Sequence, residues 1–189
     1  MNISMPIKDE QTSADVSDVA SFQLPDSAGK AGGACSSAML KVLYADHHAP
    51  DADLSFQEVL LKMRGILGQG KYTQVPQLTS SRPLDIHTPF FIIPDNFTGT
   101  RRAVMVGINY VGQQGELSGC HNDVGNMKEY IKDIHGFHES NITVLMDDGK
   151  HTNPTRDNIL KAYSDLVAAS QPGDAVFIRK LAERRATPI

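Results

Sequence analysis

The second half of the chain alternates apolar runs of strand length with stretches of helical periodicity. Residues 102–109 form a nearly continuous apolar run, which is typical of a strand buried on both faces of a sheet. Further strands are predicted at 141–146 and 175–178, and helices at 122–135 and 155–170. This β-α-β-α-β order predicts an α/β unit with a parallel sheet and right-handed crossovers.

The helices of this half are bounded by recognisable signals. Gly136 ends the first helix, as glycine often does at the residue after a helix C-terminus. Thr155 stands before the second helix, where its hydroxyl can accept a hydrogen bond from an N–H of the first turn. Residues 172–174, Pro-Gly-Asp, predict a turn before the third strand.

The first half predicts two further helices. One runs from about Ser36 to Asp46, where apolar residues recur at helical spacing. The second covers Ser55–Leu67, and Glu58 follows Ser55 by three residues. That spacing is the capping-box pattern, in which the Ser and Glu side chains bond each other's backbone N–H groups.

Extended segments surround these helices. Ile7–Val16 is predicted as a strand or loop. Gln74–Leu78 and Pro89–Pro94 are rich in residues that favour strands. Both contain or are bounded by prolines, which are typical of strand ends and sheet edges.

Composition and charge exclude several classes of protein. The 189 residues are 40% hydrophobic and 21% charged, which is typical of a globular domain. The net charge of −4 offers no basic face to neutralise phosphates, so we expect no nucleic-acid partner. The basic residues within 179–185 are more typical of a solvated tail than of a binding site. No apolar stretch approaches the roughly 20 residues of a membrane span, and no membrane partner is expected.

Cysteine usage and the N-terminal residues bear on the compartment. Two cysteines, Cys35 and Cys120, cannot build a disulfide framework and suit a reducing compartment. Residues 1–11 are polar and lack the apolar segment of a secretory signal. We therefore expect a cytoplasmic protein.

Motifs in the second half are the most specific signal in the chain. They are Arg101-Arg-Ala-Val-Met-Val-Gly-Ile-Asn-Tyr110, Leu117-Ser-Gly-Cys-His-Asn-Asp123, Asp147-Asp148 and Pro172-Gly-Asp-Ala-Val-Phe177. With these motifs the chain resembles the large subunit of the metacaspases, which are caspase-like cysteine peptidases. The first half resembles the metacaspase small subunit. Its matching motifs are Asp9-Glu-Gln-Thr-Ser-Ala-Asp15, Gly32-Gly-Ala-Cys35, Lys62-Met-Arg64 and Pro76-Gln-Leu-Thr-Ser-Ser-Arg82.

The two subunit-like regions stand in the reverse of the usual metacaspase order, and this order resembles the rearranged type of metacaspase found in algae. We predict a small-subunit-like region at 1–95, a linker at 96–100, a partial large-subunit-like region at 101–178 and an unmatched tail at 179–189. The resemblance implies a caspase-like α/β fold, in which a mostly parallel sheet is flanked by helices. It also implies that the fold is incomplete, with a central strand missing.

The resemblance stops at Phe177. In the family the third strand leads into a His-Tyr-Ser-Gly-His-Gly stretch that supplies the general base, and a later Asp-Cys pair supplies the nucleophile. Ile178–Ile189 match neither, and we interpret the chain as truncated. The resemblance therefore implies a cysteine-type endopeptidase family, but it assigns no catalytic residue here, and we expect this chain to be inactive alone.

The resemblance implies a substrate-binding role for two residues. In the family, the Gly-Cys-x-Asn-Asp motif lines the pocket for the residue before the scissile bond, which is Arg or Lys. Carried over, Cys120 and Asp123 would help to hold that basic side chain. A carboxylate can give a guanidinium or ammonium group charge-assisted hydrogen bonds. A simpler explanation is that Asp123 favours a helix N-terminus, and both explanations can hold together.

Other candidate chemistry is weaker. Cys120 at a helix start, next to His121, could act as a nucleophile, but adjacent side chains rarely reach each other productively. Cys35 is more typical of a helix-start or core residue than of a reactive thiol. The seven histidines show no metalloenzyme spacing, so we expect no metal and no cofactor in this chain. The resemblance implies calcium activation for the family, but no ligand is carried over.

Two functions of different classes stay open. The first is a metacaspase-type endopeptidase that cleaves peptides or proteins after Arg or Lys and, by resemblance, takes part in programmed cell death. The alternative is a non-catalytic pseudo-metacaspase that binds a complete metacaspase chain. A Rossmann-like binding domain unrelated to proteolysis is disfavoured by the clustered motifs. A missing strand would leave an open apolar sheet edge, so we expect the isolated chain to fold poorly or to be stable only in a complex.

Overall fold

The computed structural model describes residues 33–47, 54–69, 75–94 and 96–182. The chain divides into two compact units, Met1–Ile92 and Ile93–Ile189. The predicted segment Ile7–Val16 and most of the unmatched tail lie outside the described residues. The assignment of the two halves to subunit-like regions stays a prediction.

The first unit contains the two predicted helices, α1 (Ala34–His47) and α2 (Phe56–Gln69). Their contact includes Ala34, Ala38 and Leu67, which are buried together in a small apolar cluster. The side chains that α2 buries recur at intervals of three and four residues, namely Phe56, Val59, Met63 and Leu67. This spacing places them on one face of the helix.

The predicted capping box at the start of α2 is confirmed. The backbone N–H and the hydroxyl of Ser55 donate to Glu58 Oε2 at 2.8 and 2.7 Å. In return, the Glu58 N–H donates to Ser55 Oγ at 3.2 Å. Hydrogen bonds from the Ser55 side chain and backbone hold the pKa of the Glu58 carboxyl below its usual value.

The two predicted extended segments of this unit form no continuous strand among the described residues. Residues 75–78 have no regular structure, and Pro89 forms only an isolated antiparallel bridge with Ser55. Prolines lack the N–H that a continuous strand ladder requires.

The carbonyls near Pro89 serve the start of α2 instead. The N–H groups of Phe56 and Gln57 donate to the carbonyls of Thr88 and Ile86 at 3.2 and 3.0 Å. The first N–H groups of a helix have no partner within it. Residues 86–88 therefore satisfy N–H groups that the capping box does not reach.

The second unit is a parallel α/β layer structure, which confirms the predicted fold class. Its strands and helices, in chain order, are β1 (Arg101–Gly107), α3 (Cys120–Asp133), β2 (Ile142–Met146), α4 (Arg156–Ala169) and β3 (Ala175–Leu181). A short 3-10 turn precedes β2. The strand order is β2-β1-β3, and both pairings of β1 are parallel.

The two helices of this unit cover opposite faces of β1. Val104 and Val106 pack in one cluster with Leu145 of β2 and with Ala162 and Leu166 of α4. Successive side chains of a strand alternate between faces, so Ala103, Met105 and Gly107 lie on the other face, which α3 covers. At Gly107 a Cβ would lie 2.9 Å from Val124 and 3.1 Å from the Cys120 carbonyl, so glycine allows α3 to approach the end of β1.

β3 extends past the point where the family motifs stop. It continues through Leu181, with Ile178 paired to Val104 and Leu181 to Gly107. Val176 and Ile178 are 43% and 42% exposed, and β1 is the strand that pairs with β3 among the described residues. Parallel backbone pairing needs no particular side chain, so the strand tolerates Arg179 and Lys180 in this half-exposed position.

Among the residues that the structure describes, no helix has the length and apolar character needed to span a membrane.

The N-cap predicted at Thr155 is also confirmed, since the Asn158 N–H donates to Thr155 Oγ1 at 3.2 Å. We expect Thr155→Ala to lower the free energy of unfolding by about 1 kcal/mol, because an N–H of α4 loses its acceptor. Urea denaturation followed by circular dichroism measures this change. Thr155→Ser keeps the oxygen and is the matched control. Equal stability of the Ala and Ser variants would contradict the assignment.

Candidate functional site

The candidate site lies at the carboxyl ends of β1 and β2, where the loop after each strand meets the start of α3. Open parallel sheets bind ligands at this edge, because the loops there can vary without disturbing the layers. Both residues predicted to bind substrate, Cys120 and Asp123, lie in the first turn of α3. The sheet edge and the helix start therefore define the region of interest.

Asn109, two residues after β1, accepts hydrogen bonds from both the loop and the start of α3. It is 92% buried, with 8% of its surface exposed. Its carbonyl accepts from the Leu117 N–H at 2.6 Å, and its side-chain Oδ1 accepts from the Cys120 N–H at 3.0 Å. The local N-cap residue, Gly119, has no side chain to do this. Asn109 thus caps α3 from a position eleven residues earlier.

Asp147, the first residue after β2, forms hydrogen bonds with three donors. Its Oδ1 accepts from the Asn109 N–H at 2.8 Å and lies 2.6 Å from His121 Nε2. Its Oδ2 accepts from the Val111 N–H at 3.2 Å. An ionised carboxylate only accepts hydrogen bonds, so His121 Nε2 carries the proton.

The hydrogen bonds to Asp147 stabilise its charged form. Burial alone raises the pKa of the Asp147 carboxyl, but hydrogen bonds from the Asn109 N–H, from His121 and from the Val111 N–H outweigh this effect. The pKa of Asp147 therefore lies below its usual value. The carboxylate stays ionised well into the acidic range.

The loop that Asp147 holds is locally strained. Tyr110 has a φ of 55°, which places a non-glycine residue in the left-handed region at a cost of about 1 kcal/mol or more. Its neighbours on both sides, Asn109 and Val111, donate their N–H groups to Asp147. These two charge-assisted bonds offset the strain at Tyr110.

The two predicted site residues differ in exposure. Asp123 is almost completely buried, with 2% of its surface exposed, whereas Cys120 is half-buried. They are three positions apart on α3, which places them as neighbours on one side of the helix. The structure therefore brings the two residues together, but the substrate-binding role stays a prediction.

The comparisons with known proteins bear on the whole chain. A family profile described as the metacaspase, peptidase C14 domain matches residues 101–179. "Metacaspase III c" of Phaeodactylum tricornutum is 58% identical over 171 residues, or 90% of this chain. "Metacaspase-1" of Pyricularia oryzae is 43% identical over 82 residues, 42% of this chain. The chain belongs to the metacaspase family. Its three-stranded parallel sheet, flanked by helices, is consistent with part of the caspase-like fold of that family.

The match to these metacaspases is partial in length. The chain spans 51% of "Metacaspase III c". It spans 21% of "Metacaspase-1" of Pyricularia oryzae and 20% of "Metacaspase-1B" of Aspergillus fumigatus. The chain therefore spans about half or less of the length of these three relatives.

The acidic pair after β2 does not fit a calcium site. The Asp147 carboxylate already accepts hydrogen bonds from Asn109, Val111 and His121. Asp148 accepts from the Lys150 and His151 N–H groups at 3.0 and 2.9 Å and from His151 Nδ1 at 2.8 Å. Calcium needs six to eight oxygen ligands. In the described part of this metacaspase no group of three or more His, Cys, Asp or Glu residues is placed to hold a metal ion.

The described cysteines and histidines are not arranged as a cysteine-peptidase dyad. Cys120 and His121 are consecutive on α3, and consecutive helical side chains do not face each other. His121 is bonded to Asp147 through Nε2. Cys35 is buried at the start of α1.

The sequence alone did not predict that Asn109, His121 and Asp147 form one cluster. Each belongs to a motif that carries the family resemblance. One signal could have found two of them, since Asn109 is the polar residue that ends the run at 102–109 and Asp147 directly follows the strand predicted at 141–146. Parallel strands place such residues at the same edge of the sheet.

The low pKa of Asp147 predicts how the stability of this metacaspase unit depends on pH. The folded-state pKa lies below the unfolded value of about 3.9, so the ionised carboxylate stabilises the fold above that value. This contribution is lost as the pH falls through the folded-state pKa. Asp147→Asn should lower the free energy of unfolding by about 2 kcal/mol near neutral pH. The difference between the two proteins should shrink below about pH 4.

Urea denaturation of both proteins across this pH range measures the effect. Asp165→Asn is the control, because Asp165 is an exposed partner of Lys161 on α4 and such pairs contribute about 0.5 kcal/mol or less. A destabilisation by Asp147→Asn that is the same at all pH values would contradict the assignment.

Proposed function

We propose that this chain is the substrate-binding part of a cysteine-type endopeptidase that cleaves after Arg or Lys. The observation that carries the proposal is the burial of the Asp123 carboxylate at the carboxyl edge of the parallel sheet. A charge removed from water attracts an opposite charge more strongly than an exposed one does. A guanidinium or ammonium group fits this site, because it can donate several hydrogen bonds to one carboxylate.

Cys120 supports the same proposal from a neighbouring position. It lies three residues before Asp123 in the first turn of α3 and is half-buried. A small, weakly polar side chain at this point can line the aliphatic stem of an Arg or Lys residue while its charged end reaches Asp123. Cys120 thus forms a wall of the pocket and is not the nucleophile.

The interaction of Asp123 with the helix dipole is compatible with this role. An acidic residue in a first turn stabilises a helix by about 0.3–1 kcal/mol, and this effect does not require burial. Asp123 is nevertheless almost completely buried, whereas the first-turn residue Asp157 of α4 is exposed. The burial of Asp123 therefore favours a binding role in addition to the dipole interaction.

The 189 residues by themselves carry out no peptide cleavage in this proposal. Cysteine-peptidase chemistry needs a thiolate within hydrogen-bond reach of a base. The family's His-Tyr-Ser-Gly-His-Gly stretch does not occur among these residues, and Cys120 and His121 do not face each other. A polypeptide that also carried the family's base and nucleophile would be the peptidase, and its location would be cytoplasmic.

A second candidate function is that of a non-catalytic partner of a complete metacaspase. The observation that favours it is the half-exposed strand β3, whose Val176 and Ile178 are exposed. A strand with an available edge can pair with a strand of another chain. Co-elution of this chain with a complete metacaspase would support this candidate, and separate elution at micromolar concentration would count against it.

The pocket proposal predicts selective binding of basic peptides. A short peptide amide that ends in Arg should bind the chain, and the same peptide with norleucine in place of Arg should bind at least about tenfold more weakly, or about 1.4 kcal/mol. Asp123→Asn should remove this difference, since it removes the charge. Isothermal titration calorimetry measures both affinities.

The control variant is Asp133→Asn, which neutralises an exposed carboxylate at the other end of α3 and should leave the preference for Arg unchanged. Thermal melts show whether each variant is folded. A fluorogenic Arg peptide should be cleaved no faster than in buffer. Equal binding of the Arg and norleucine peptides by the folded chain would overturn the pocket proposal.

A further inference from the structure

We propose that Asp147 is a positioning residue that sets the first turn of α3, and with it Cys120 and Asp123, through Asn109 and His121. The consequence for substrate binding rests on the proposed function. The geometric part does not, since it stands on hydrogen bonds within the second unit. Nothing in the sequence motifs alone assigns this role to Asp147.

The first step is that one carboxylate contacts both ends of the loop between β1 and α3. Asp147 accepts from the N–H groups of Asn109 and Val111, where the loop begins. It also bonds His121, the second residue of α3, where the loop has ended. The positions of the loop start and the helix start relative to β2 are therefore coupled through a single side chain.

The second step is that Asn109 passes this constraint on to α3. Its backbone is held by Asp147, while its side chain accepts from the Cys120 N–H. Its carbonyl closes the loop by accepting from the Leu117 N–H. A shift of Asn109 would therefore move the oxygen atoms that accept from the Cys120 and Leu117 N–H groups.

The third step is that α3 takes no side-chain cap from the residue before it. Its N-cap residue is Gly119 and makes no side-chain cap. By contrast, α4 is capped by its own Thr155 and α2 by its own Ser55. The first N–H of α3 thus depends on a side chain distant in sequence, whereas α2 and α4 each have a side-chain cap from an adjacent residue.

The neighbouring residue Asp148 provides a matched control within the same loop. It also accepts two backbone N–H groups and bonds a histidine, but these donors belong to Lys150 and His151. These bonds span two or three residues and stay within the loop after β2. Asp148→Asn therefore removes the same kind of interaction without touching α3.

The experiment compares Asp147→Asn with Asp148→Asn in the 189-residue chain. An asparagine keeps the shape but presents an NH₂ donor where an acceptor is required. Amide hydrogen exchange, followed by NMR, should be at least about tenfold faster at Cys120 and Leu117 in Asp147→Asn, since a tenfold change corresponds to about 1.4 kcal/mol. Exchange in Asp148→Asn should stay within about twofold of the wild type at both amides, since no bond to the β1 loop is lost.

A second variant keeps the test decisive if Asp147→Asn does not fold. Asn109→Ala removes only the Oδ1 acceptor of the Cys120 N–H and leaves the backbone carbonyl that Leu117 uses. Exchange should accelerate at Cys120 but not at Leu117. A purely general loss of stability would accelerate both amides together.

The affinity for the Arg peptide separates this inference from the proposed function. Asp147→Asn should weaken Arg-peptide binding at least about tenfold, while Asp148→Asn should not. If the wild-type chain binds no Arg peptide but Asp147→Asn still accelerates exchange at Cys120 and Leu117, the pocket proposal fails and the positioning role stands. Unchanged exchange at Cys120 in Asp147→Asn, or in Asn109→Ala, overturns the positioning role.

Discussion

The burial of β1 on both faces is the constraint on which the second unit depends. This strand lies between β2 and β3, and α3 and α4 cover its two faces. Its backbone N–H and C=O groups are removed from water, and pairing with a parallel strand on each side satisfies them. Crossover helices are required to join parallel strands, and they bring α3 and α4 onto the sheet. The loops at the carboxyl ends of β1 and β2 then meet the start of α3, which creates the candidate site.

The first N–H groups of α2, α3 and α4 find their hydrogen-bond acceptors in different ways. The first N–H groups of every helix need acceptors from outside it. α4 takes its acceptor from Thr155, the residue just before it. α2 combines a local capping box with carbonyls from residues 86 and 88. α3 relies on Asn109, whose own position depends on Asp147. Among these three helices, α3 is thus the one whose side-chain cap comes from a residue distant in sequence.

Family membership and chemical function rest on different observations. The metacaspase match covers nearly all of the chain in one relative and residues 101–179 in the family profile. The arrangement of the site adds what the match does not contain: the acceptors of the loop N–H groups, the burial of Asp123 and the bond between His121 and Asp147. These features support the binding role that we propose for this part of the chain.

The sequence by itself determined the helices, the parallel strands and the local caps at Ser55 and Thr155, because these depend on periodicity and on residues three positions apart. It indicated extended segments at Gln74–Leu78 and Pro89–Pro94 but not that their described residues form no continuous strand. A proline-rich extended segment has a similar local pattern whether its carbonyls pair with a strand or a helix start. Only the tertiary structure decided that Asn109, His121 and Asp147 form one cluster, and that Asp123 is buried. Asn109 and Asp147 are 38 residues apart, and local periodicity carries no information about which side chain a buried polar group will meet across such a distance.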